Sequence, residues 1–137
     1  MRMLTGRCLC GAVEYAVGDE FMYAAYCHCS RCRAATGAGA KPFAGIAVEK
    51  LTVTKGDDAL LIYGTREHGD IRCGQCGGFL FSAIGERAHV SMGSLVDTPS
   101  IRPTEHIFVA SKAAWDEITD DLPQYAGLVF EGPPINR

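Results

Sequence analysis

Apolar and polar positions alternate with a period of two in a series of short runs along this chain. In Ala12-Val13-Glu14-Tyr15-Ala16-Val17 the large side chains Val13, Tyr15 and Val17 alternate with smaller or polar ones, as in a strand with one buried face. Gly18-Asp19 reads as a turn and Phe21 to Tyr26 as a second strand. Ile46 to Val48, Leu51 to Thr54 and Ala59 to Tyr63 follow as strands, with Lys55-Gly56-Asp57-Asp58 turning between the last two. Phe79-Leu80-Phe81-Ser82 and His89-Val90-Ser91-Met92 are expected to pair as a hairpin across Gly85-Glu86, and Thr104 to Ala110 to form a further strand. Two short helices are expected. One is Ser30 to Thr36, stopped at the flexible Gly37; the other is capped by Ser111 and buries Trp115. Thr65 to Asp70 is polar and expected to be exposed, and the chain beyond Asp120, with Pro123, Pro133 and Pro134, to be extended. Many short strands with frequent turn signals predict a mainly β domain.

Composition narrows the setting more than it changes this picture. The 137 residues suit one domain, 1–137, that gains from a structural metal. Hydrophobic residues are 47% and charged ones 21%, with a net charge of -3 and no run of Lys or Arg. That balance does not suggest a nucleic-acid or acidic-membrane partner. Met1-Arg2-Met3-Leu4-Thr5-Gly6 has no apolar core of a secretion signal, and no stretch approaches 18 apolar residues. A cytoplasmic, reducing environment is therefore expected, where seven cysteines are poorly explained as disulfides.

The cysteines fall into three groups: Cys8/Cys10, then Cys27, Cys29 and Cys32 within Tyr26-Cys27-His28-Cys29-Ser30-Arg31-Cys32-Arg33, then Cys73/Cys76. Two distant pairs are most economically one closed four-thiolate zinc site, Cys8, Cys10, Cys73 and Cys76, with buried apolar cysteines as the alternative. Two thiolates on one tetrahedral zinc lie about 3.8 Å apart, since Zn–S bonds are about 2.3 Å. Residues i and i+2 of a flat strand stand nearly twice as far apart, so the backbone should bend at Cys8–Cys10, which Gly11 permits. Ile71-Arg72-Cys73-Gly74-Gln75-Cys76-Gly77-Gly78 reads as a zinc knuckle, its glycines letting backbone N–H groups face the sulfurs. Cys27, Cys29 and Cys32 form an open set with a coordination position to spare; a redox-active thiol cluster is the competing reading.

Other polar residues carry weaker signals. His28 stands between two candidate ligands, so its ring should point away from both, and His106 in an apolar run reads as a core histidine. Arg31 and Arg33 flank the open set and suit either surface charge or a bidentate grip on a substrate carboxylate. Glu67, His68 and Asp70 read as a solvated loop.

The order Cys-x-Cys-Gly, Cys-His-Cys-x-x-Cys-Arg, Cys-x-x-Cys-Gly resembles the family of the glutathione-dependent formaldehyde-activating enzyme, which shares its domain with centromere protein V. Ala35-Thr36-Gly37-Ala38, Arg102 to Val109 and Asp120-Asp121-Leu122-Pro123 resemble it too, so that the similarity covers roughly residues 4 to 126, leaving 127–137 as a tail. The resemblance implies a β-rich fold of the Mss4-like type. It implies two Zn2+ per chain: a structural ion on Cys8, Cys10, Cys73 and Cys76, and a labile one on Cys27, Cys29 and Cys32. It also implies carbon–sulfur lyase activity joining glutathione and formaldehyde as S-hydroxymethylglutathione. The chain is shorter than the enzyme that named the family, which leaves the thiol and the aldehyde open.

On this reading the open-site zinc takes a substrate sulfur as fourth ligand and keeps it as a thiolate that attacks an aldehyde carbon. A non-catalytic glutathione or zinc carrier is the alternative from another class. A chromatin module lacks its basic run, and zinc-hydroxide hydrolysis lacks an acidic base within the three-cysteine motif.

Overall fold

The structure, a computed structural model, describes residues 2–136 and is mainly β. The strands are β1 (Met3–Arg7), β2 (Glu14–Gly18), β3 (Tyr23–Cys27), β4 (Lys41–Ala47), β5 (Leu51–Lys55), β6 (Leu60–Gly64), β7 (His68–Cys73), β8 (Phe79–Ile84), β9 (Arg87–Ser91) and β10 (His106–Ile107). The α-helix found among the described residues is α1, Ser30–Thr36. The chain forms two compact units, residues 1–23 with 44–101 and residues 24–43 with 102–137.

In the first unit, β1, β2 and β5 make an antiparallel sheet in the order β1-β2-β5, and β9-β8-β7-β6 are consecutive neighbours in a second. The alternation in β2 does what the pattern predicts. Val13, Tyr15 and Val17 are fully buried and pack with Leu4, Ile46, Ile71, Leu80, Phe81 and Val90. Tyr15 stands opposite Gly6 on β1, and a Cβ at Gly6 would lie 1.9 Å from the Tyr15 ring, so only glycine leaves room for that ring. The buried phenol finds a partner in Ser94 at 2.6 Å, as a buried tyrosine hydroxyl must to avoid an unpaired polar atom.

The hairpin of β8 and β9 forms as expected. The predicted exposed loop from Thr65 to Asp70 holds for Thr65 to His68, which are exposed, but not for Gly69 and Asp70. His68 begins β7, and Asp70 is buried with its carboxylate accepting a hydrogen bond from Ser82 Oγ at 2.8 Å. A polar side chain is tolerated there because a neighbouring strand supplies its donor.

The second unit pairs β10 with β3 in parallel, His106 opposite Tyr26 and Ile107 opposite Cys27. The expected strand from Thr104 to Ala110 shrinks to two residues, because Phe108 at φ +54° turns the chain into a 3-10 turn over Val109–Ser111. The helix expected to be capped by Ser111 does not form, and Trp115 is 75% exposed rather than buried. The segment after Asp120 is tied back by its main chain: His106 N–H donates to the Pro123 carbonyl and Tyr125 N–H to the His106 carbonyl, each at 2.9 Å. α1 ends where predicted, with Gly37 in the left-handed region and its N–H on the Arg33 carbonyl.

Candidate functional site

In the first unit Cys8 follows β1, Cys73 closes β7, and Cys10 and Cys76 lie on the turns after them. The four Sγ atoms lie within 4.8 Å of one another. Cys10 Sγ is 3.8 Å from both Cys8 Sγ and Cys73 Sγ. A disulfide needs sulfurs about 2.05 Å apart, whereas 3.8 Å is about the edge of a tetrahedron with zinc–sulfur bonds of about 2.3 Å. The predicted bend is present, with Gly11 at φ +78° and its N–H on the Cys8 carbonyl at 3.3 Å.

Backbone donors converge on this set. Val13 N–H points at Cys8 Sγ at 3.3 Å, Gln75 and Cys76 N–H at Cys73 Sγ, and Gly78 N–H at Cys76 Sγ at 3.4 Å. Such donors favour thiolate over thiol. The N–H groups of Cys10 and Gly78 pull Cys76 down to about 6. At Cys10 the Ala12 N–H pulls the same way, but desolvation and the neighbouring thiols outweigh it and push the group up to about 11. Four sulfurs at tetrahedral spacing, each raising the cost of the next negative charge, fit a divalent cation that would neutralise them.

In the second unit Cys27 ends β3 and is buried, Cys29 is the N-cap of α1, and Cys32 lies in its first turn. Cys29 Sγ accepts the Cys32 N–H at 3.2 Å, the usual work of an N-cap oxygen done here by sulfur. These three Sγ atoms also lie within 4.8 Å of one another. A hydrogen bond from Cys32 holds the Cys27 thiol below its ordinary value; that bond, with burial and the charge of Cys27, pushes Cys32 up. A soft divalent cation would take the place of the proton these two thiols share. Both donor sets thus suit zinc.

Arg31 and Arg33 lie on α1 as expected. Arg31 is exposed, while Arg33 is half-buried and donates through Nη2 to the Ser111 carbonyl at 3.2 Å. His28 is buried and its Nε2 lies 2.8 Å from Nδ1 of His106. His106 is buried too, stacks on Tyr26 with ring centres 4.9 Å apart, and presents its Nε2 to both carboxylate oxygens of Asp120 at 3.0 Å. Burial and the proximity of His106 hold the His28 imidazole below its ordinary value. Desolvation pushes the Asp120 carboxyl up, but the hydrogen bonds from His106 and the Leu122 N–H prevail and hold it below. Sequence reasoning read the two histidines singly and missed this chain. Its members are 78 and 14 residues apart, and the clue available was two histidines in otherwise apolar runs.

A β-sheet protein carrying two separate thiol clusters, one of four and one of three, is the class that fold and site define. The comparisons with known proteins are specific about which. The profile of the glutathione-dependent formaldehyde-activating enzyme family matches residues 3–111, and the chain belongs to that family. Among solved structures, a crystal structure of a Rhodobacter sphaeroides protein is similar, with 31% sequence identity and a TM-score of 0.57 over 70% of this chain and 91% of that one. No curated protein is significantly similar in sequence. No helix among the described residues is long and apolar enough to cross a membrane.

Proposed function

We propose that this protein is a carbon–sulfur lyase that reversibly joins a thiol to an aldehyde, with glutathione and formaldehyde as the first substrates to try. The observation that carries the reading is the division of the thiols into a set of four and a set of three, each gathered within 4.8 Å. Cys8, Cys10, Cys73 and Cys76 would hold a structural zinc, and Cys27, Cys29 and Cys32 a second, more labile one. With zinc held by Cys27, Cys29 and Cys32, the pKa of a further thiol would be lowered, which would supply a thiolate at neutral pH. The balance of the reaction is simple. A sulfur–carbon bond forms, the carbonyl π pair moves to oxygen, and the proton lost by the thiol ends on that oxygen; the reverse steps cleave the adduct.

The chain's own residues do the rest. Cys27 is buried at the strand end and Cys29 and Cys32 are half-buried on α1, which limits water at the reacting sulfur. Arg31 and Arg33 flank the set along the chain and would grip substrate carboxylates, Arg31 from its exposed position. Family membership supports this reading, and a reducing, cytoplasmic setting would keep the seven thiols free for metal. We place residues 1–137 in one family domain with a core at roughly 4–126.

The test is turnover. Catalytic amounts of protein should accelerate equilibration of glutathione, formaldehyde and their adduct, and Cys29→Ser should abolish the acceleration. The alternative, a non-catalytic thiol or zinc carrier, is favoured if adduct levels shift only in proportion to protein while the rate stays at the uncatalysed value.

A further inference from the structure

We propose that Asp120, acting through His106, fixes His28 in the tautomer with its hydrogen on Nε2 and thereby clamps the backbone that carries Cys27 and Cys29. The last link, from clamp to metal retention, rests on the reading of the three cysteines as a zinc site; the first two do not.

A carboxylate can only accept, and both Asp120 oxygens are 3.0 Å from His106 Nε2, so that nitrogen carries the hydrogen. In a neutral His106 the other nitrogen, Nδ1, is then a lone pair. His28 Nε2 lies 2.8 Å from it and must donate. The hydrogen of a neutral His28 is thereby spent, and its Nδ1 is left as a bare acceptor. This nitrogen is buried and has no hydrogen-bond partner. An unpaired acceptor is the tolerable version of that orphan, since a buried N–H without a partner is the rarer and costlier case.

The histidine so fixed sits between two thiols and is held at both its ring and its main chain. His28 N–H donates to the Ile107 carbonyl and Tyr26 N–H to the Glu105 carbonyl, each at 3.0 Å. The far end is anchored as well, because Asp120 Oδ1 also accepts the Leu122 N–H at 3.0 Å. Residues 26–28 are therefore fastened to 105–107 by main-chain bonds and by the side-chain bond between the two histidines, and the side-chain bond depends on a carboxylate beyond the residues the family profile matches. Asp120 and His106 are positioning residues. They touch no candidate ligand, yet set where two of them stand.

Imidazole 15N–1H correlation spectra at neutral pH read the tautomers directly. Both rings should carry the hydrogen on Nε2; a hydrogen on Nδ1 of His28 overturns the proposal. Asp120→Ala should speed amide hydrogen exchange at His28 and Cys29 while leaving Val13 in the other unit unchanged, and Asp120→Asn, which still offers an acceptor oxygen, should restore part of the protection. Unchanged exchange in Asp120→Ala overturns the clamp whether or not metal is bound. On zinc-loaded protein, Asp120→Ala should release the labile ion about tenfold faster, in the range seen when outer partners of metal ligands are removed. A wild-type chain that holds only one zinc defeats the two-zinc reading and leaves the tautomer and exchange results to stand or fall alone. Two zincs with equal release rates in both proteins defeat the positioning role.

Discussion

The two cysteine sets differ first in how far the chain travels to build them. Cys10 and Cys73 are 63 residues apart and meet only when the first unit has folded, whereas Cys27, Cys29 and Cys32 lie on one strand end and one helical turn. Closing a long loop through a cation adds to stability, since the unfolded chain presents no such site. A set assembled within six residues closes almost no loop, so a cation bound there would add little to the fold. The long-range set also receives N–H bonds from Val13, Gln75, Cys76 and Gly78. The local set receives N–H bonds from Cys32 and Cys29, and the histidine between its first two thiols bonds His106.

The largest expected effect separates the sets at once. Cys73→Ser, whose thiol is fully buried among the four, should abolish cooperative thermal unfolding of the first unit, because structural zinc binding is folding free energy. Cys32→Ser should lower stability by no more than about 2 kcal/mol, the ordinary cost of a single substitution. Equal losses in circular-dichroism melts would erase the distinction. Next in size is metal removal. Mass spectrometry should find two zincs per chain, and a mild chelator should take the ion of the three-cysteine set while the other persists; loss of both together would show one class of site.

Smaller effects sharpen the comparison. Gly11 and Gly37 both have positive φ, one beside each set. Alanine at either should cost about 1–2 kcal/mol for the left-handed backbone. Gly11→Ala should cost the more, since its Cβ would meet Arg7 Nη2 at 2.4 Å while nothing lies near Gly37; denaturant titration would rank them. The smallest effect concerns acid. The Ser100 N–H, aided by Arg2, overcomes desolvation and holds Asp19 in the first unit below its ordinary value of 3.8. A lowered folded pKa contributes stability that is present above the unfolded value and lost as pH falls through the folded one. Asp19→Asn should therefore narrow the stability difference between neutral and strongly acid solution, by less than about 1 kcal/mol for an ion pair with one exposed partner. An unchanged difference would show that Asp19 contributes nothing to acid sensitivity.

What could be read from the sequence was what local spacing encodes. The alternation of Val13, Tyr15 and Val17, the stop at Gly37, the bend at Gly11, the three-cysteine grouping and the pairs Cys8/Cys10 and Cys73/Cys76 each follow from residues within a few positions of one another. What escaped was decided by distant partners. Asp70 looked exposed because it is polar, and is buried because Ser82 on the next strand bonds it. Trp115 looked buried because it is large and apolar, yet it lies on an exposed turn. His28, His106 and Asp120 have no shared period, so only the parallel pairing of β3 with β10 and the return of the chain after Asp120 bring them into line.

Trp115 has an optical consequence. It is the chain's single tryptophan, it belongs to the second unit, and it already faces solvent. Its emission should therefore start near the red position of a hydrated indole and shift little when the first unit melts. The same exposure leaves it little to report when the second unit opens, and tyrosine absorbance mixes the units because Tyr26 and Tyr125 belong to the second, so melts of either unit need a backbone signal such as circular dichroism.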